Sequence, residues 1–410
     1  MVALTLVASA LNYGSNVLFS RVLNPVGYGE LTSLFALSVV LAVPTGAAQT
    51  VIAERIAVYA AEGRMERVRY LIRHALAHVS VIALGAGVIY IIASPLVVNL
   101  LSLRHEGVAL ALAPVLMLAF VLPLALGVLQ GLERFTAYGL LLLAIAVSRI
   151  GFGLPWASVE HGAGGALGGQ AVGMVVVLAA TGWLMRGLVI GRGTGAATAG
   201  LKRTPDARTL SASAAFLGFA VLSNLDLILA KIMLSPYNAG VYAALSTIGK
   251  VIIFLPTSIA VVMVPNAAKA QVGGSSARVL RLSALLVGAT SVLAAIPAIV
   301  APHLIISVMF GSKYLSAVNG VLPMVVAGAG LAMTYLLVVY SVAINDRRWM
   351  MLLACAMAVQ IAGISFFHHS PTQIAVVQAG VALFVLAGNE ILFHPIISAR
   401  PAFRRPRAVR

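Results

Sequence analysis

The chain has 410 residues, of which 61% are apolar and 9% charged, and it carries a net charge of +16. Soluble domains hold about 45–50% apolar and about 25% charged residues, so this composition describes a polytopic membrane protein and excludes an ordinary soluble enzyme. The single cysteine, Cys355, lies in an apolar run, which excludes an intrachain disulfide and reads as a small buried hydrophobe.

A membrane-spanning helix needs about 20 mostly apolar residues. That template predicts an all-α protein with twelve spans, roughly 2–20, 29–53, 74–99, 108–130, 136–156, 166–190, 210–234, 239–264, 279–301, 319–344, 349–367 and 373–396. Ala8–Ser9–Ala10 has the small residues of a signal-cleavage site, but no basic region precedes it and the apolar stretch before it is short. The first span is therefore expected to be retained. Turn residues mark the breaks: Asn24–Pro25–Val26–Gly27, Glu160–His161–Gly162, Ser235–Pro236, Gly273–Gly274–Ser275–Ser276 and His369–Ser370–Pro371. Pro44, Pro123, Pro256 and Pro323 fall inside spans, as transporter helices tolerate where neighbours or water re-satisfy the backbone.

Basic residues set the orientation. With a cytoplasmic N-terminus, 21 of the 27 Lys and Arg fall in inside loops or the tail. Only Arg21, Arg104 and Lys313 fall outside, and Arg149, Lys231 and Lys250 lie within spans. Both termini are then cytoplasmic, in a plasma or inner membrane. The positive charge is a topology device and a contact with anionic lipids, and no nucleic-acid partner is expected. The flexible Gly191–Arg208 stretch splits the chain into an N-terminal six-helix bundle, 1–190, and a C-terminal one, 209–396, followed by a basic tail, 397–410. Asn24–Pro25 and Gly29 match Ser235–Pro236 and Gly240 at a constant offset of 211, and further short matches follow. Six spans per half makes these parallel repeats, with a substrate site between them.

Ionisable groups inside spans carry the functional signal, because a charge at the centre of a membrane helix costs about 2.5–3.5 kcal/mol on insertion scales. Asn224 and Lys231 share a helix face, as do Ser246 and Lys250. Two readings stand for this group. Arg149, Lys231 and Lys250 form a cationic cavity wall, or Asp226 pairs with a lysine and ties helices seven and eight together. A second polar set is Asn12, Tyr13, Asn16, Gln49 and Thr50, read either as sugar contacts or as interhelical hydrogen bonds. Asp226 and Glu390 are candidates for ion coupling, and Glu390 also reads as a side chain reaching the interface. The glycines 164, 165, 168, 169 and 173 read as close helix packing. No HExxH, CxxC or GxSxG pattern occurs, His368–His369 reads as a solvated pair, and no catalytic residue, metal or cofactor is expected.

Three segments resemble a known family. Ser20–Arg21–Val22–Leu23–Asn24–Pro25–Val26–Gly27–Tyr28–Gly29 is similar to the end of the first helix in polysaccharide and O-antigen (Wzx-like) flippases. Asp226 through Ala244 resembles their seventh-to-eighth helix signature, and Phe310–Gly311–Ser312–Lys313–Tyr314–Leu315–Ser316–Ala317 their segment before helix ten. These flippases belong to the multidrug/oligosaccharidyl-lipid/polysaccharide (MOP) superfamily. The resemblance implies two six-helix bundles and export of a lipid-linked oligosaccharide to the outer leaflet. Membrane lipids are partners, and polysaccharide assembly proteins are candidate ones. The competing readings are a drug or cation antiporter of the same superfamily and a non-transporting scaffold of an assembly complex.

Overall fold

The computed structural model describes residues 2–160, 162–186, 207–253, 276–344 and 346–393. The 191–206 stretch, Pro256, Pro265 and the basic tail lie outside them. Twelve helical stretches follow the expected spans. They are α1 (Val2–Val22), α2 (Pro25–Ala61), α3 (Met65–Leu100), α4 (Glu106–Gly131), α5 (Phe135–Val159) and α6 (Ala163–Leu184). Then come α7 (Ala207–Leu222 and Leu225–Met233), α8 (236–253 as described), α9 (Ser276–Val300), α10 (Val321–Ala343), α11 (Trp349–Phe366) and α12 (Pro371–Leu392). A short helix, Pro302–Met309, and a 3₁₀ segment, Ser312–Gly320, connect α9 to α10. Ten helices among the described residues are long and apolar enough to cross a membrane; α1 and the described part of α8 are not among these ten.

The turn residues act as expected. Asn24 caps α2, its Oδ1 accepting from the Gly27 amide at 2.8 Å, and Pro25 fills the first helical position, where an N–H has no partner. Ser370 and Pro371 open α12 in the same way. Gly63 takes a left-handed φ of +69° between α2 and α3. Large apolar side chains such as Ile89, Ile92, Leu285 and Val300 are exposed on α3 and α9, as lipid-facing surfaces require. Cys355 is exposed on α11 rather than buried. In a membrane protein an apolar run has a lipid-facing side as well as a core side, so an apolar neighbourhood does not imply burial.

Close backbone approach decides two contacts. In α6, a Cβ on Gly169 would lie 2.3 Å from the Phe152 carbonyl oxygen and one on Gly173 would lie 2.9 Å from Ser148 Cβ, so these glycines let α5 and α6 touch. Between the halves, a Cβ on Gly240 would lie 1.8 Å from the Pro25 carbonyl oxygen, and one on Gly29 would lie 2.9 Å from the Gly240 nitrogen. The two glycines matched at an offset of 211 therefore meet each other.

Around that contact the ends of both halves that carry Arg21 and Lys313 are fastened together. The Arg21 guanidinium, at the C-terminus of α1, donates to the carbonyls of Val308 and Met309 at the end of the short helix. Lys313 returns the contact, its ammonium donating to the carbonyls of Arg21 and Leu23. Each cation thus sits at the negative end of a helix from the other half. Tyr314 Oη donates to the Ser20 carbonyl at 3.3 Å, and the Tyr28 and Thr247 hydroxyls pair at 2.8 Å.

Candidate functional site

Below this fastened end lies a cavity of about 470 Å³ between the halves. The first half contributes Asn12, Tyr13 and Asn16 from α1, Phe35, Ala36 and Val39 from α2, and Arg149 from α5. The second contributes Ser223, Asn224 and Leu227 from α7, Thr247 and Lys250 from α8, and Phe219 and Tyr335. Five pairs 211 apart occur in this lining: Asn12 and Ser223, Tyr13 and Asn224, Asn16 and Leu227, Ala36 and Thr247, Val39 and Lys250. Residues at this offset thus line one cavity with different chemistry, Val39 standing 211 residues before Lys250. Asn12 is nine residues before Arg21, about 14 Å along the axis.

Arg149 enters from a π-helical turn, Arg149–Gly153. Pro155 explains the turn: it has no N–H for the Gly151 carbonyl, and its ring crowds that oxygen, so the helix widens. The guanidinium donates to Asn12 Oδ1 at 2.6 Å and Asn16 Oδ1 at 2.8 Å, and lies 4.0 Å from the Phe35 ring centroid. Across the cavity, Lys250 Nζ donates to Asn224 Oδ1 at 2.8 Å. Asn224 sits in the break between the two segments of α7. Its own Nδ2 donates to the Ala220 carbonyl at 2.8 Å, which an unbroken helix would satisfy with a backbone N–H. Each cation is thus held by amides, in a cavity with no Asp or Glu among its described lining residues.

Asp226 lies behind this wall, in a small pocket shared with Lys250, Ser246 and Gln378. It is 3% exposed, and its Oδ2 accepts from Tyr242 Oη at 2.7 Å and Ser246 Oγ at 3.4 Å. No lysine forms an ion pair with it within 4 Å among the described residues; Lys250 acts on it through space. The seven-to-eight tie is therefore a carboxylate–hydroxyl contact, with Tyr242 in the place the sequence reading gave to a lysine.

The structure brings Arg149, Lys250, Asn12, Tyr13, Asn16 and Asn224 to one cavity, whereas Asp226, Lys231, Gln49, Thr50 and Glu390 are not among its lining residues. Lys231 is 3% exposed in the last turn of α7, its Nζ without a hydrogen-bond partner, and Glu30 and Arg104 are the charges acting on it. Depth along the helix explains the separation: Leu227, one turn before Lys231 on the same face, still lines the cavity, whereas Lys231 lies about 10 Å along the axis from Asn224, beyond it. Gln49 lies between α2 and α4, its Nε2 donating to Gln130 Oε1 at 3.3 Å. Glu390 is half-buried near the end of α12, and it too is not among the cavity's lining residues. The aromatic residues Phe35, Phe219 and Tyr335 went unnoticed in the sequence, because an aromatic residue in an apolar run carries no pattern that distinguishes a cavity wall from a core.

No family model and no curated protein matches the chain. Solved structures do. An inward-facing multidrug resistance MATE-family transporter of the MOP superfamily matches with a TM-score of 0.70 at 13% identity, over 93% of this chain and 92% of that one. The lipid II flippase MurJ, in an inward closed conformation, matches with 0.69 at 12% identity, over 95% and 88%. An outward-facing MATE-family transporter matches with 0.55 at 15% identity, over 94% and 91%. The fold is therefore that of MATE and MurJ transporters.

Proposed function

We propose that the chain is a flippase of the Wzx-like kind. In this reading it moves a lipid-linked oligosaccharide, of polysaccharide or O-antigen precursor type, from the cytoplasmic to the outer leaflet by alternating access. The observation that carries the reading is the cavity's charge: two cations, one from each half, and no acid among the described lining residues. A pyrophosphate linkage carries about two negative charges. One ion pair at 4 Å gives about 4 kcal/mol before desolvation at an effective dielectric near 20. Arg149 and Lys250 together suit such a group, while Asn12, Asn16, Asn224 and the aromatic walls offer hydrogen bonds and ring faces to sugars. The lipid tail stays in the bilayer. The two bundles, 1–190 and 209–396, rock about the cavity, and the Arg21–Lys313 fastening closes its outer side in the state described.

A drug or cation antiporter would use the same fold, but its substrates are cationic and this wall repels them. Asp226 stays the candidate for ion coupling, because it is the acid adjoining Lys250. Purified protein in liposomes tests the reading. It should move a labelled lipid-linked oligosaccharide between leaflets and leave a cationic dye untransported. Dye transport without sugar-lipid movement would give the antiporter, and neither activity would give the scaffold.

A further inference from the structure

The break in α7 is held open from outside the helix. Between Leu222 and Leu225 the helical ladder is interrupted, which removes the usual partners of nearby carbonyls. Asn224 supplies one replacement, to Ala220. The Leu222 carbonyl receives two more: Gln360 Nε2 of α11 at 3.1 Å and Gln378 Nε2 of α12 at 3.5 Å. The glutamines are joined, Gln360 Nε2 also donating to Gln378 Oε1 at 2.6 Å, and they are 0% and 1% exposed. Two buried amides in a membrane interior are costly unless they hydrogen-bond, so their convergence on one carbonyl calls for a reason.

The other half supplies a parallel. Gln360 stands 211 residues after Arg149, the offset that relates Gly29 to Gly240. Arg149 reaches from α5 to hold α1, and Gln360 reaches from α11 to hold α7. In the first half the reaching side chain is itself the cavity cation. In the second half it is neutral, and the cation, Lys250, is fixed one step further on by Asn224 at the break.

We infer that Gln360 and Gln378 are positioning residues. By satisfying Leu222 they keep α7 broken, and the break aims Asn224 and, through it, Lys250 at the cavity. Without those donors the helix gains by rewinding through Ser223–Asn224, and Lys250 loses its amide support. The consequence for transport rests on the proposed function, but the geometry does not.

The test separates the two. Ser223→Cys in a Cys355→Ala background puts one reporter thiol at the break, in the cavity wall. Its modification rate by a charged thiosulfonate reagent is measured in inside-out vesicles, alongside membrane abundance. Both glutamines serve one carbonyl, so Gln360→Met and Gln378→Met singly should each stay within about twofold of the parent. The double variant should label about tenfold more slowly, which corresponds to about 1.4 kcal/mol. Should the double variant fail to reach the membrane, Gln360→Met/Gln378→Asn, whose remaining amide is one methylene short of Leu222, replaces it with the same expectation. In transport, the double variant should raise KM for the lipid-linked sugar while kcat is kept, and the single variants should stay near the parent. Parental labelling in the double variant overturns the inference, as do single-variant effects that simply add. Failure of the parent to move sugar lipid instead overturns the proposed function and leaves the labelling result intact.

Discussion

With the orientation set by the basic loops, removing the Arg21–Lys313 fastening should open the cavity to the outside. Arg21 and Lys313 each cap the C-terminus of a helix from the opposite half. Arg21 is exposed and Lys313 half-buried, so each contact is discounted for screening. A cation in the last turn of a helix is worth about 0.3–1 kcal/mol at an exposed site, rising towards 2 when partly buried. We take about 0.5–1 kcal/mol for each, hence about 1–2 kcal/mol for the pair. At about 1.4 kcal/mol per factor of ten, Arg21→Ala/Lys313→Ala should raise the outward-open population about 5- to 30-fold. A cysteine at Thr32, buried in the cavity wall, reports it in a Cys355→Ala background. Its labelling by an impermeant thiol reagent from outside intact cells should rise by that factor, with each single variant in between. Unchanged labelling at normal membrane abundance would refute the fastening as a gate.

The remaining outcomes follow from the same geometry. Cysteine at Ser312 should label from outside and cysteine at Ala196 should not, and the reverse pattern overturns the orientation. Gly240→Ala places a Cβ against the Pro25 carbonyl, which backbone cannot relieve by rotating a side chain. It should raise outside labelling of the Thr32 reporter as well, and parental labelling would show that the halves part without strain at this point. Asp226→Asn keeps an acceptor for Tyr242 and Ser246 and should leave abundance near parental. Asp226→Leu orphans both hydroxyls, at about 1–3 kcal/mol each, and should lower abundance several-fold in quantitative immunoblots. Equal abundance of the two variants would contradict the carboxylate–hydroxyl tie.

Much of the architecture was legible because membrane helices announce themselves by length and composition, and because Pro and Gly fix turns by covalent geometry. Asn24–Pro25 and Ser370–Pro371 start helices where the sequence placed them. The offset of 211 led to Gly29 and Gly240, which meet across the interface. Among cavity residues, the signal that worked was the cost of an ion in hydrocarbon, which singled out Arg149 and Lys250. The same signal over-reached at Lys231, because charge alone does not say how far along its helix a residue lies from the cavity: Leu227, one turn earlier, is in the wall and Lys231 is not. The break itself was invisible: Ser223–Asn224 holds neither Pro nor Gly, and its support comes from Gln360 and Gln378, more than a hundred residues away. Gln49 failed for a related reason, since a polar residue on a cavity helix can equally face its neighbour, as it does towards Gln130.

The most direct test of the cationic-cavity account is the rate at which Arg149→Ala, Lys250→Ala and Lys250→Glu move a labelled lipid-linked oligosaccharide in liposomes, at matched protein amounts. Losing one ion pair of about 4 kcal/mol before desolvation, at an effective dielectric near 20, leaves a net loss of about 1–2 kcal/mol. Each alanine variant should therefore move the substrate about 5- to 30-fold more slowly at subsaturating concentration. Lys250→Glu should abolish movement, and Lys250→Arg should keep most of it. Parental rates in both alanine variants would contradict the account, whatever the fold.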